Sequence, residues 1–238
     1  MAGDKRLIVA LDVSAMSRVR QLVEELGDSV SYYKVGMELF YSVGSEVITY
    51  LKEQGKDIFL DLKLHDIPNT VANGLAALTT LGASMLNIHA SGGLAMMKAA
   101  SQAVANKAEM LGIQRPRLIA VTILTSIDNA EWTNLRYSTD IPGQVVNLAR
   151  LAQTAGIDGV VASPQEAAMI RAACGNDFII VTPGVRPQGA AVNDQSRIAT
   201  PAGALKNGAS QLVVGRPITA AADPRAAAAA ILAEMRDV

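Results

Sequence analysis

Short apolar runs alternate with longer helix-period segments from one end of the chain to the other, and this alternation is its most constraining feature. Eight runs read as strands: Arg6–Asp12, Tyr32–Gly36, Asp57–Lys63, Met85–Ala90, Arg117–Leu124, Asp158–Ser163, Phe178–Gly184 and Gln211–Arg216. Most are continuously apolar, the pattern of parallel strands covered on both faces. Between them, Ser14–Leu26, Ser45–Gln54, Thr70–Leu81, Leu94–Met110, Gln144–Ala155 and Pro164–Ala173 carry apolar residues at helical spacing. A last helix, Ala222–Met235, opens with Asp223-Pro224 as N-cap and first-turn proline.

Eight such units in 238 residues average roughly 30 residues each, the scale of a (β/α)8 barrel. A doubly wound sheet usually has fewer strands and a glycine-rich first turn. Here the first turn is Asp12-Val13-Ser14-Ala15. With no composition break or low-complexity linker, residues 1–238 are expected to form one α/β domain, a TIM barrel.

Composition then removes several classes of function. The 21 basic and 22 acidic side chains give a formal net charge of -1, no broad footprint for nucleic acid or an anionic membrane. No apolar run approaches the roughly 18 residues of a membrane span. Leu7–Leu11 is too short for a signal-peptide core. One cysteine, Cys174, excludes an internal disulfide and reads as structural. There is no Cys/His spacing for zinc. Trp132 and Tyr137 alone do not make a nucleic-acid stacking platform. The expectation is a soluble, cytoplasmic enzyme.

Barrel chemistry sits at the C-terminal ends of the strands. Those positions hold Asp12, Lys34, Asp61 with Lys63, His89, Thr125-Ser126, Ser163, Thr182 and Gly215-Arg216. Any one of them alone reads as a strand-end hydrogen bond or salt bridge, and His89 as a packing group. Their recurrence at one end of the barrel marks a site. The densest cluster is Asp61-Leu62-Lys63-Leu64-His65-Asp66. Strand alternation turns Asp61 and Lys63 inward and Leu62 and Leu64 toward the helices. With Lys34 and Asp66 these groups can form an alternating Lys-Asp-Lys-Asp array, which must be tightly hydrogen-bonded to repay burial. Flanking carboxylates favour the ammonium form of Lys63. An ammonium suits proton donation to a developing carbanion and suits Schiff-base chemistry poorly.

A second cluster falls after strands seven and eight: Val181-Thr-Pro183-Gly-Val-Arg186, then Gln195, then Val214-Gly215-Arg216-Pro217. Barrels often bind phosphate there, on backbone N–H groups and the start of a short helix. Gly215 permits close backbone approach and Arg216 can clamp a phosphate dianion. The aperiodic stretch Gln188–Gln195 is expected to act as a lid.

The run Asp61-Leu-Lys63-Leu-His-Asp66-Ile-Pro-Asn-Thr70 resembles the signature of the orotidine 5'-phosphate decarboxylase family, Asp-x-Lys-x-x-Asp followed by Ile-x-Asn-Thr. Leu11-Asp12, Tyr33-Lys34-Val35-Gly36, Leu124-Thr125-Ser126, Thr182-Pro-Gly-Val-Arg186 and Val214-Gly215-Arg216-Pro217 extend the resemblance along essentially the whole chain. It implies cofactor-free, metal-free removal of the C6 carboxylate of orotidine 5'-monophosphate, giving UMP and CO2, the last step of de novo pyrimidine synthesis. It also implies a homodimer in which Asp66 and Thr70 reach into the partner's site. Lys63 would deliver the proton to C6 and Asp61 would lie beside the departing carboxylate. Asp12 and Lys34 would hold ribose hydroxyls, and Thr125 or Ser126 the pyrimidine amide. Pro183, Arg186, Gln195, Gly215 and Arg216 would belong to the phosphate and lid region.

Two rivals remain at this stage. Sugar-phosphate decarboxylases and aldolases of the same suprafamily share Asp-x-Lys-x-x-Asp but use Mg²⁺, with an acidic residue on strand two. Here that strand carries Lys34, which would repel a divalent cation. A catalytically silent phosphate-binding barrel is the other, and intact Asp61, Lys63 and Asp66 argue against it.

Overall fold

The computed structural model describes residues 3–187, 199–236 and 238. Gln195 and the expected lid at 188–195 lie outside the described residues. Eight parallel strands close into a barrel in chain order: β1 (Leu7–Ala10), β2 (Tyr32–Gly36), β3 (Asp57–Leu64), β4 (Met85–His89), β5 (Arg117–Val121), β6 (Gly159–Val161), β7 (Ile179–Thr182) and β8 (Gln211–Val214). Pairing of Leu7 with Leu212 and Val9 with Val214 joins the first strand to the last. The expected barrel is therefore the observed one.

Helices α1 (Met16–Leu26), α2 (Met37–Val43), α3 (Glu46–Glu53), α4 (Pro68–Thr79), α5 (Gly93–Leu111) and α6 (Asn129–Asn134) surround it. The ring continues with α7 (Ile141–Thr154), α8 (Ala167–Cys174), α9 (Pro201–Lys206), α10 (Arg216–Thr219) and α11 (Pro224–Arg236). The short α2, α6, α9 and α10 went unread in the sequence, because four to seven residues are too few to display a helical period. No described helix is long and apolar enough to cross a membrane.

The strands read as continuously apolar because both faces are covered. In β1, Ile8 and Ala10 face the barrel interior, packed with Tyr32, Phe59, Met85, Ile119, Val181 and Val213. Leu7 and Val9 face outward, into the larger core that the helices complete. Several apolar runs outlast their strands. Ile123 and Leu124, for example, leave the ladder after Val121 and line the mouth of the barrel.

At the N-terminal end, side chains satisfy the strand amides in a repeating way. Residues just before β4, β6 and β8 accept from the second N–H of the preceding strand. Ser84 Oγ takes Ile58 N–H (3.3 Å), Asp158 Oδ2 takes Leu118 N–H (2.7 Å) and Ser210 Oγ takes Ile180 N–H (3.0 Å). Asp158 also accepts from Arg115 Nη1 at 2.7 Å, so its charge is paired.

Candidate active site

The C-terminal ends of β1, β2 and β3 bring three of the four expected charged groups together. Asp61 is 7% exposed, and a carboxylate so buried must be compensated. Lys63 Nζ donates to its Oδ1 at 2.6 Å, while Lys34 Nζ lies 3.4 Å from its Oδ2. Lys34 also donates to Asp12 Oδ1 at 2.9 Å, linking the loop after β1 to the array. Burial alone would raise the Asp61 pKa, but the ammonium groups of Lys34 and Lys63, with hydrogen bonds from Lys63 and Asn87, hold it below the ordinary carboxylate value. For Lys34, burial opposes the charged form and the Asp61 and Asp12 carboxylates outweigh it, so its pKa stands above the usual lysine value. Asp61 and Lys34 are thus both ionised at neutral pH.

Lys63 does not reach this position by regular strand geometry. Leu60 pairs with Leu86 and Leu64 with Ile88, so the register of β3 shifts between Leu60 and Leu64. Within that bulge Lys63 has φ +52°, a left-handed conformation that costs a non-glycine residue roughly 1 kcal/mol or more. Its side chain nevertheless faces inward as expected, and Leu62 and Leu64 pack against the helix-side core.

Asn87, in the middle of β4, supports this geometry and is a residue the sequence reading passed over. It is 1% exposed; its Nδ2 donates to Asp61 Oδ1 at 2.6 Å and its Oδ1 accepts from Lys63 N–H at 2.8 Å. A lone amide inside Met85-Leu86-Asn87-Ile88 was a usable signal, since a buried amide needs partners. Gly36, quoted in the sequence only as the end of the Tyr33-Lys34-Val35-Gly36 run, has a steric role as well. A Cβ there would lie 3.0 Å from Lys34 Nζ, so its hydrogen leaves room for the ammonium.

A cavity of about 150 Å³ opens over the array, walled by Phe59, Val121, Ile123 and Pro183 and reached by Thr125. Thr125 is half-buried in that wall, whereas Ser126 is exposed. Gly215 lies close to the opposite rim, where a Cβ would stand 3.4 Å from Asp12 Oδ2. Arg216 is exposed at the first residue of α10. Arg186 is buried, with Nη1 donating to the Val185 carbonyl and its N–H donating to Ala199. Ser163 and Thr182, also at strand ends, are buried; Ser163 Oγ accepts from the nearby Gln165 N–H, and Thr182 Oγ1 donates to the Gln211 carbonyl on β8.

Asp66 and Thr70 are exposed on the loop and first turn of α4. The Asp66 carboxylate accepts from its neighbour's Ile67 N–H, and among the described residues it forms no ion pair with the array. The expected four-membered array is therefore three-membered plus Asp12 within this chain. The His65 and His89 rings lie 5.4 Å apart beside it. Burial, with help from nearby His65 and Lys63, pushes the His89 pKa down, which keeps that imidazole neutral at pH 7. Among the described residues no group of three His, Cys, Asp or Glu side chains is placed to hold a metal ion.

Known proteins share this arrangement of chain and barrel. The chain is 50% identical over its whole length to the orotidine 5'-phosphate decarboxylase of Moorella thermoacetica, covering 95% of that protein. It is 49% identical to the Nitrosococcus oceani enzyme of the same name, over 98% of each chain. The crystal structure of orotidine 5'-phosphate decarboxylase from Lactobacillus acidophilus superposes with a TM-score of 0.86 at 44% identity, covering 98% of this chain and 99% of that one. Residues 5–231 match the orotidine 5'-phosphate decarboxylase / HUMPS family, and the chain belongs to that family.

Proposed function

We propose that this protein decarboxylates orotidine 5'-monophosphate to UMP and CO2, the closing step of pyrimidine nucleotide synthesis, without a cofactor. The observation that carries the reading is the buried Lys34–Asp61–Lys63 array on the floor of a cavity, in a chain half identical to decarboxylases of that name. The C6–carboxylate bond breaks and its electron pair stays on C6 as CO2 departs. Negative charge therefore grows at a ring carbon, and a fixed ammonium is what stabilises it. Lys63 supplies that ammonium, transfers one proton to C6 and regains it from solvent. Asp61 holds Lys63 in place and stands beside the leaving carboxylate.

Lys34 and Asp12 hold ribose hydroxyls, and Thr125, already in the cavity wall, contacts the pyrimidine amide. Arg216 meets the phosphate, with Gly215 allowing close approach; Gln195, outside the described residues, is assigned to the same phosphate-binding role. Buried Arg186 serves the same region by bracing the turn after Pro183. Energy from binding the remote phosphate is then available for the reacting end. We further infer a homodimer in which Asp66 and Thr70 complete the partner's site. Support comes from their exposure and from the apolar side chains at the same mouth, Ile67 at 66%, Leu135 at 49% and Tyr137 at 45% exposed. A cytoplasmic location fits the lone cysteine.

The Mg²⁺-dependent sugar-phosphate reading is disfavoured by Lys34, whose ammonium already lies between the two carboxylates that a cation would need. The test is loss of orotidine absorbance on adding the purified protein, with EDTA present. Turnover is expected; no absorbance change, or turnover only when Mg²⁺ is restored, would overturn the reading.

A further inference from the structure

We propose that Asn87 is a positioning residue of the reaction, clamping the backbone of Lys63 to the carboxylate of Asp61 so that the proton donor is held in its left-handed conformation at the cavity floor. The inference rests on the decarboxylase reading and goes beyond it, to a residue outside the Asp-x-Lys-x-x-Asp run.

Three observations converge. Lys63 has φ +52°, a conformation that persists only where the surroundings over-determine it. Because the register of β3 shifts between Leu60 and Leu64, ordinary strand pairing to β4 is interrupted along the stretch that contains Lys63. The Lys63 N–H goes to Asn87 Oδ1 at 2.8 Å. The same amide's Nδ2 donates to Asp61 Oδ1, the oxygen that also receives Lys63 Nζ; both bonds are 2.6 Å. One side chain thus holds both ends of the Asp61–Lys63 pair, by main chain on one side and carboxylate on the other. Asn87 is fully enclosed, so no water can replace it cheaply. Only a group that both donates and accepts fits this position. A carboxamide does so at every pH, and an isosteric carboxylic acid does so only while protonated.

Asn87 touches neither end of the substrate in this account, so its loss should appear in kcat more than in KM. Misplacement of a reacting group by about 1 Å costs on the order of 100-fold, and loss of an orienting partner about 10- to 100-fold. Asn87→Ala is expected to lower kcat by that amount with KM within about threefold of the unsubstituted protein. Asn87→Asp places two carboxyls together, one of which must take up a proton to restore the donor toward Asp61. Its kcat relative to the unsubstituted protein should therefore rise as pH falls, by up to about tenfold per pH unit, the limit for one proton. Carbon-13 NMR of the Asp61 carboxyl gives a readout independent of turnover: Asn87→Ala should shift its titration to higher pH.

Circular dichroism establishes folding, and if the alanine variant does not fold the isosteric aspartate variant decides. The proposal is overturned by an alanine kcat within twofold of the unsubstituted value, by an Asn87→Asp ratio flat from pH 5 to 8, or by a loss confined to KM. Absence of decarboxylation in the unsubstituted protein would overturn the parent reading instead, and the Asp61 titration would still judge the clamp.

Discussion

The two ends of the barrel use polar residues in opposite ways. At the N-terminal end, Ser84, Asp158 and Ser210 each satisfy a strand amide, and the one charge among them is paired with Arg115. At the C-terminal end, Asp61, Lys34 and Lys63 bond chiefly to one another, and the backbone nearby is strained. Polar groups at the first end close ladders, whereas those at the second hold charge against desolvation and leave a cavity above it. The same kind of residue therefore closes strand ladders at one end and, on the proposed function, takes part in chemistry at the other.

Substitutions can break this contrast, and the largest effect belongs at the mouth. Lys63→Ala removes the group proposed to be both charge stabiliser and acid, and should reduce kcat/KM about 10⁴-fold or more while unfolding remains cooperative. Steady-state kinetics with a thermal melt checks both halves. Asp158→Ala should do the reverse. It leaves the Leu118 amide and Arg115 without their acceptor, at a cost of about 2–3 kcal/mol in urea unfolding, with kcat held within twofold. A large loss of kcat there would erase the distinction between the ends. Ser84→Ala is the mildest, expected near 1 kcal/mol and again silent in kcat.

pH sharpens the comparison further. Asp61 has a lowered folded-state pKa, so its contribution to stability is present above about 3.9, its unfolded value, and is lost as pH falls through the lower folded one. Lys34 has a raised pKa, so its contribution is complete below about 10.4 and is lost as pH rises through the folded value. Asp61→Asn should flatten the acid limb of a stability–pH curve. An unchanged limb would mean that the array adds no linkage.

The barrel was legible because its signal is repetitive: eight runs covered on both faces leave little choice of architecture. Asp61, Lys63, Lys34 and Asp12 were legible because ionisable groups at apolar strand ends are unusual. Asn87 was not, since its meaning depends on which β4 residue stands beside the displaced part of β3, and no local pattern encodes that register. Arg186 shows the converse. The resemblance assigned it to the phosphate and lid region, but its burial, with Nη1 on the Val185 carbonyl, is a tertiary outcome, whereas Arg216 is exposed. Asp66 and Thr70 stood out by their signature, while both are exposed and, among the described residues, Asp66 forms no ion pair with the array.

The irregular stretch of β3 has a consequence for sequence change. Between the Leu60–Leu86 and Leu64–Ile88 pairs, β3 advances four residues while β4 advances two. Side-chain parity beyond Leu60 therefore depends on a count of residues as well as on their types. Deleting Leu62 would reverse that parity and turn the lysine toward the helices, leaving every charged group of the signature still encoded. At this strand, loss or insertion of one residue is expected to cost more than exchange of one apolar residue for another of similar volume.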